Sequence, residues 1–276
     1  MTKTLNRTSF LTPFVILLLA TVLTAGSSLA IWAQGVTESN VAAAKKDGLS
    51  ATELIQRMDS KLRGAQSRAD ITMTIVRPSW ERSIRMKTWS LGTEYSMILI
   101  TEPARDQGIA YLKRDNEIWN WVPNIGRTIK LPPSMMMQSW MGSDFTNDDL
   151  VRESSVVTDY THSFGEDANI DGYQTYQVIL TPKPDAPVVW GEVRTWVTRE
   201  EYIQLKTEFY DEEGYLVSTM QASEIKDFQG RKLASRMEMI PLDEPGNKTI
   251  LTYNDLSFEE AITESFFNVQ QMRRLR

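Results

Sequence analysis

Few residues in this chain have the chemistry of a catalyst. There is one histidine, His162, and no cysteine. His162 has no second histidine or thiolate with which to complete a metal site or a triad. No G-x-S-x-G elbow and no phosphate loop occurs. His162 therefore reads as a surface or partly buried structural residue. Carboxylates are plentiful but scattered, and two acids at unknown separation do not make a glycosidase. The cluster Asp144, Asn147, Asp148, Asp149 lacks the offsets and the turn glycine of a calcium loop. Asp148 and Asp149 read better as acidic residues at a helix start, ahead of Leu150, favourable with the dipole. The expectation is a protein without catalytic residues, metal or cofactor, and a hydrolase hidden by divergence has no motif to support it.

The apolar residues are more informative. There are 13 methionines and 8 tryptophans. Met135, Met136, Met137 and Met141, with Trp140 among them, follow Pro132-Pro133 and end at Gly142. Methionine is unbranched and polarizable and suits surfaces that adapt to variable apolar partners. The window reads as a separately hinged segment able to lie as a lid over a sheet. An ordinary element packing on the sheet is the plain alternative, and a closed lid satisfies both readings. Trp119 and Trp121 share one strand face, with Ile118 and Val122 on the other. A strand apolar on both sides needs cover on both. Trp80, Trp89, Trp190 and Trp196 fall on other strands and read as sheet aromatics.

The elements that would position these residues follow from hydrophobic period. Ser50 and Glu53 form a capping box, with Leu49 and Leu54 placed as a hydrophobic staple. Leu54, Ile55, Met58 and Leu62 mark one buried face of that helix, and Gly64 ends it. The period then changes to two, with Ile71, Met73 and Ile75 alternating with threonines. Similar alternation recurs near 84–86, 95–99, 108–113 and 116–122 around Arg114-Asp115, and near 126–131. It resumes at 176–180, 193–197, 203–209, 215–227, 232–240 and 248–256. About eleven short strands at regular spacing predict an α+β fold with one large curved antiparallel sheet. Helices are expected on one side of it, as one helix before the sheet, a helical insert at 132–152 and a C-terminal stretch from Ile262 to Leu275.

The N-terminus is organised differently. Lys3 and Arg7 precede a span from Thr8 to Thr37 without charge, apolar from Phe10 to Ala25 and small-residue-rich after it. That is the order of a secretory signal, cleaved after Ala30 or Ala33. An uncleaved anchor is the alternative, since a spanning helix needs roughly 20 apolar residues. Residues 1–33 are thus read as signal, 34–48 as linker and 49–276 as one domain. The net charge is -6 and becomes about -8 after cleavage, which argues against nucleic acid as a partner. Without cysteine, the N-terminal lipid anchor of a bacterial lipoprotein is excluded, and an oxidising periplasm suits the chain.

The run from Gly108 to Leu150 resembles proteins grouped as outer-membrane lipoprotein-sorting proteins of the LolA-like superfamily. Its characteristic parts are a W-V-P-x-x-G-R turn (Trp121, Val122, Pro123, Gly126, Arg127) and an M-G-S-D-F-T segment (Met141 to Thr146, with Gly142 and Asp144). The resemblance implies a half-barrel of antiparallel strands closed by helices, with an apolar cavity for acyl chains of lipoproteins or phospholipid, and an inner-membrane ABC-type transporter as partner. On that reading Met97, Trp119, Trp121, Met136, Met137 and Trp140 are the expected cavity lining. Arg127 is expected to hold its turn by pairing with Asp144 or another acid. Two other readings stand beside the periplasmic carrier: an envelope-stress regulatory binding module, and a fixed periplasmic subunit of an export complex.

Overall fold

The computed structural model describes residues 45–152 and 156–275. The segment read as a secretory signal lies outside them, as does most of the expected linker. Residues 45–50 form a small hairpin instead of a linker: β1 (Lys45–Lys46) pairs with β2 (Leu49–Ser50). Its turn residues Asp47 and Gly48 both have positive φ, 49° and 81°. This is the Asp-Gly chemistry of a tight hairpin turn. Helix α1 (Ala51–Arg63) follows at once, with Ser50 and Glu53 in the reciprocal capping box and Gly64 at its end.

Fourteen strands then form one sheet. In chain order they are β3 (Gln66–Arg77), β4 (Trp80–Leu91), β5 (Tyr95–Glu102), β6 (Ala110–Arg114), β7 (Glu117–Val122), β8 (Arg127–Lys130) and β9 (Tyr160–Phe164). After these come β10 (Ala168–Ile170), β11 (Tyr173–Pro182), β12 (Glu192–Thr198), β13 (Gln204–Tyr210), β14 (Leu216–Phe228), β15 (Arg231–Pro241) and β16 (Lys248–Ser257). The expected count of about eleven is low chiefly because of β9 and β10, short edge strands that pair end to end along β11. The order β10-β11-β12-β13-β14-β15-β16-β3-β4-β5-β6-β7-β8 is an antiparallel meander in which β16 returns beside β3, and the sheet stays open. Among the described residues no helix is long and apolar enough to cross a membrane.

Register settles which side chains share a face. One cross-strand row runs Thr195, Thr207, Met220, Met239, Thr249, Ile75 over six neighbouring strands. A second runs Met237, Leu251, Met73, Ile84. These rows belong to the inner face, where α1 also packs. Ala51, Leu54, Ile55 and Met58 of α1 meet Tyr176, Val178, Leu180 and Val193.

The C-terminal stretch departs from the expectation of helices on one side. Helix α2 (Val269–Arg274) covers the opposite, outer face. Phe267 and Met272, both fully buried, pack on Met97, Leu99, Ala110 and Leu112, with Trp119 and Trp121 alongside. The reason is parity. β5 to β7 carry Ile98, Ile100 and Ile118 inward and Met97, Leu112 and Trp119 outward, so both faces of that part of the sheet must be sheltered from water. Phe267→Ala should therefore lower unfolding free energy by about 3–5 kcal/mol, read from urea midpoints. A loss below about 1 kcal/mol would show that this strap is not part of the core.

Candidate ligand-binding cavity

The inner face lines a partly open cavity of about 320 Å³. Its walls come from strands far apart in the sheet, with Leu180 of β11 at one side and Ile98 of β5 at the other. Eight strand spacings separate β11 from β5 in the sheet order, roughly 38 Å at 4.8 Å each. One cavity can touch both only because the sheet curves around it. The floor is the methionine-containing rows: Met86, Met220, Met237, Met239 and Leu251, with Met58 and Leu62 of α1 above them. Trp190 and Phe209 form an aromatic corner, ring centroids 5.1 Å apart at 44°.

Polar groups also line the wall, among them Asp148 and Asp149 of the 132–152 segment and Thr195, Gln204 and Thr207 of the sheet. Asp59 and Arg63, one turn apart on α1, form an ion pair at 3.2 Å with side chains 17% and 18% exposed. Beside them the inner face carries a cross-strand row Ser67, Ser90, Ser96, with Ser67 and Ser90 hydroxyls 2.7 Å apart. Asp149 is enclosed by protein while part of its surface faces the cavity. Burial pushes its carboxyl pKa up, opposed by hydrogen bonds from Thr146 and Trp190. Its Oδ2 accepts from the Thr146 backbone N–H and hydroxyl, both at 2.8 Å, and the Asp149 N–H donates back to Thr146 Oγ1 at 3.1 Å. This is a capping box for the single π-helical turn Asp148–Arg152.

Residues 132–152 cover the cavity. A 3-10 turn, Pro133–Met135, leads to Trp140, which is fully buried against Tyr111 with rings 5.6 Å apart. The chain reverses at Met141 and Gly142, φ 52° and 81°, so that Ser139 bridges to Thr146. Phe145, Asp148, Asp149 and Leu150 then reach the cavity. The tip is held by charge. Arg77 of β3 grips Asp144 with both guanidinium nitrogens at 3.0 Å. The Thr249 hydroxyl donates to Asp144 at 2.6 Å. Arg77 also donates to the Gly142 carbonyl at 3.1 Å, and Arg82 to that of Met141 at 2.6 Å. The partner of Asp144 is thus Arg77, not Arg127. Arg127 stands exposed at the start of β8, after the turn through Pro123 and the left-handed Gly126.

The residues expected to line the cavity are dispersed. Trp119 and Trp121 lie under α2 on the outer face, because strand parity sends them away from Ile118. Met97 borders the cavity but packs in that same outer cluster. Met136 and Trp140 are core residues of the closed lid, and Met137 is 57% exposed. The wall residues missed from sequence are Trp190, Phe209, Met220, Met237 and Met239. Their one legible signal is methionine at matching parity on β14 and β15. His162 is structural: its Nε2 donates to the Val156 carbonyl at 2.7 Å, its Nδ1 lies 3.1 Å from Thr52 Oγ1, and burial lowers its pKa. Among the described residues no group of three histidine or acidic side chains is placed to hold a metal ion.

A family model described as "-like: Uncharacterized protein" matches residues 92–274, well over half of the chain. The chain belongs to that family. Among solved structures it is similar to a domain from Vibrio parahaemolyticus, described as a candidate outer membrane lipoprotein-sorting protein domain. The match has 22% identity and TM-score 0.73, covering 81% of this chain and 98% of that one. It is similar to a DUF1329 family protein from Desulfovibrio piger at 23% identity and TM-score 0.73, covering 80% and 97%. A LolA superfamily protein from Nitrosomonas europaea matches at 23% identity and TM-score 0.70, covering 80% and 99%. The fold is therefore LolA-like. No curated protein matches the sequence.

Two measurements test the site. Arg77→Ala should cost about 3–5 kcal/mol of stability, because it strands a buried carboxylate, and should speed proteolysis within 132–152. Arg127→Ala should stay within about 0.5 kcal/mol of the parent, and equal effects would refute the latch. For Asp149, a raised folded-state pKa means that stability is fullest below the ordinary carboxylate range and falls as pH rises toward the folded pKa. Asp149→Asn should then exceed the parent in urea midpoint at pH 7–8, with the gap closing near pH 4. A gap independent of pH would show that ionisation of Asp149 carries no such cost.

Proposed function

We propose that the protein is a periplasmic carrier that holds an acyl chain of a lipoprotein or lipid in the inner cavity and moves it between the inner and outer membranes. The observation that carries this reading is the cavity itself: mainly apolar, and roofed by a segment tied down by the Arg77–Asp144 ion pair and by hydrogen bonds to its backbone carbonyls. Burying an acyl chain there would contribute about 0.8 kcal/mol per methylene. A carrier must also release its cargo, and a wall with methionines on α1, β4, β14 and β15 can re-pack around an incoming or departing chain. The LolA-like fold supports the same reading. Export by the N-terminal segment 1–33 and loading by an inner-membrane ABC-type transporter belong to this proposal, and catalysis does not.

The test is native mass spectrometry with lipid extraction, on full-length protein purified from the periplasm without detergent. The expected result is a bound acyl species. Met220→Trp, which fills the cavity, should reduce it at least tenfold with the circular dichroism spectrum unchanged. A clean unliganded mass, with no uptake of added phospholipid or acylated peptide, would overturn the carrier reading in favour of a protein-binding module.

A further inference from the structure

Lid and sheet each bring to the cavity a polar group whose hydrogen-bonding capacity is not used up. Asp149 stands at the end of the lid, in the turn Asp148–Arg152, and lines the cavity. Its Oδ2 takes both donors of Thr146, the N–H and the hydroxyl, at 2.8 Å. Its Oδ1 receives only the indole Nε1–H of Trp190, at a long 3.4 Å. Trp190 lines the cavity from the segment just ahead of β12, and its neighbour holds it there. Gly191 donates its N–H to the Tyr210 carbonyl at 2.9 Å, and a Cβ at Gly191 would lie 2.3 Å from the Asp211 carbonyl oxygen. Only glycine allows that approach, which sets the indole against Phe209. A carboxyl and an N–H thus stand side by side on a wall that includes Val193, Phe209 and Met239.

The protonation state of that carboxyl decides what it can hold. Its partners are Thr146 and Trp190, and among the described residues no cation pairs with it. The other charged and titratable groups on the cavity wall are Asp148 on its own turn, Asp59 and Arg63 on α1, and Tyr160 on β9. Burial raises the Asp149 pKa, opposed by hydrogen bonds from Thr146 and Trp190 and with no contribution from those charges. A carboxyl in an apolar site without a cation neutralises instead of staying charged. Since Thr146 fixes Oδ2 as the acceptor, the proton belongs on Oδ1, beside the Trp190 N–H. Two donors then face the cavity at one point. An acyl carbonyl oxygen, an acceptor with two lone pairs, satisfies both. A bare hydrocarbon satisfies neither, and an ionised Asp149 would repel the carbonyl oxygen. Such a carbonyl is the junction of chain and head in an ester- or amide-linked acyl group. Held there, it leaves the chain to lie along Met220, Met237 and Met239.

We propose that Asp149 Oδ1–H and Trp190 Nε1–H form a two-donor clamp for the carbonyl oxygen of an ester- or amide-linked acyl chain. This deepens the carrier reading and rests on it. The experiment is equilibrium binding of radiolabelled neutral amphiphiles to the full-length protein, each below its micelle concentration. They are palmitoyl glycerol (an ester), N-palmitoylethanolamine (an amide) and hexadecyl glycerol (an ether, without the carbonyl). None of them titrates, so pH acts through the protein. At about pH 5 the ester and the amide should bind on the order of tenfold tighter than the ether, as two added hydrogen bonds allow. An advantage for only one of the two supports the clamp and identifies the linkage. The advantage should shrink towards parity as pH rises through the Asp149 pKa, since carbonyl binding then requires uptake of a proton. Asp149→Asn, whose carboxamide donates at every pH, should keep the advantage and lose its pH dependence. Trp190→Phe should reduce it at every pH. A merely structural Asp149 would move all three ligands together. Ester, amide and ether binding alike in the parent, or a pH dependence that survives in Asp149→Asn, would overturn the clamp and leave the carrier reading standing. So would tighter binding of hexadecyltrimethylammonium than of the ester, strongest at high pH, which would mark Asp149 as a site for cations. Failure of every amphiphile to bind would overturn both.

Discussion

Curvature of the sheet is the constraint on which the rest depends. A flat sheet of this width would present its inner face to solvent or require a second layer. Bent so that β11 and β5 border one space, it becomes its own opposite wall. The residual problem is volume. Packed sheets sit about 10 Å apart when side chains interdigitate, and α1 and the lid fill only part of a wider trough. What they leave is the cavity. Its existence follows from the strand order, which places β16 beside β3 and makes the longest strands the floor.

Closure and binding use different forces. The cavity wall is largely apolar, whereas the lid tip is fastened by Arg77, Arg82, Asp144 and Thr249. A purely apolar seal would expose its whole area on opening, with nothing returned. Charges behave otherwise, because the cost of desolvating them in the closed state is recovered when they meet water again. A latch of this kind holds the lid in one register when shut and opens at lower net cost than its contact distances suggest. The inner wall can then vary without disturbing the fastening.

Legibility in the sequence divided along the same line between local and distant. Helix α1 was readable because its cap, its stripe and its terminal glycine lie within fifteen consecutive residues. The strands were readable by parity, since a one-residue slip would turn every apolar side chain outward. Parity does not say which face is inner. Trp119 and Trp121 are an emphatic pair on one face, and only the packing of Phe267 and Met272 against that cluster shows it to be the outer one. Arg127 and Asp144 are close in the chain and opposite in charge, yet Asp144 finds Arg77, 67 residues away. The cavity wall draws on residues from α1 to β16, so no local window contains it.

The two aromatic clusters then have complementary consequences. Under α2 the outer face is filled by the chain's own phenylalanines and methionine, which fixes β5 to β7 as a rigid wall. On the inner face, among the described residues, the cover is α1 and the lid, and the floor is rich in methionine, with Met86, Met220, Met237 and Met239. Rigid packing outside and adaptable packing inside is the division of labour a carrier needs. On the proposed carrier reading, the wall keeps its shape while the surface it presents accommodates a chain that comes and goes.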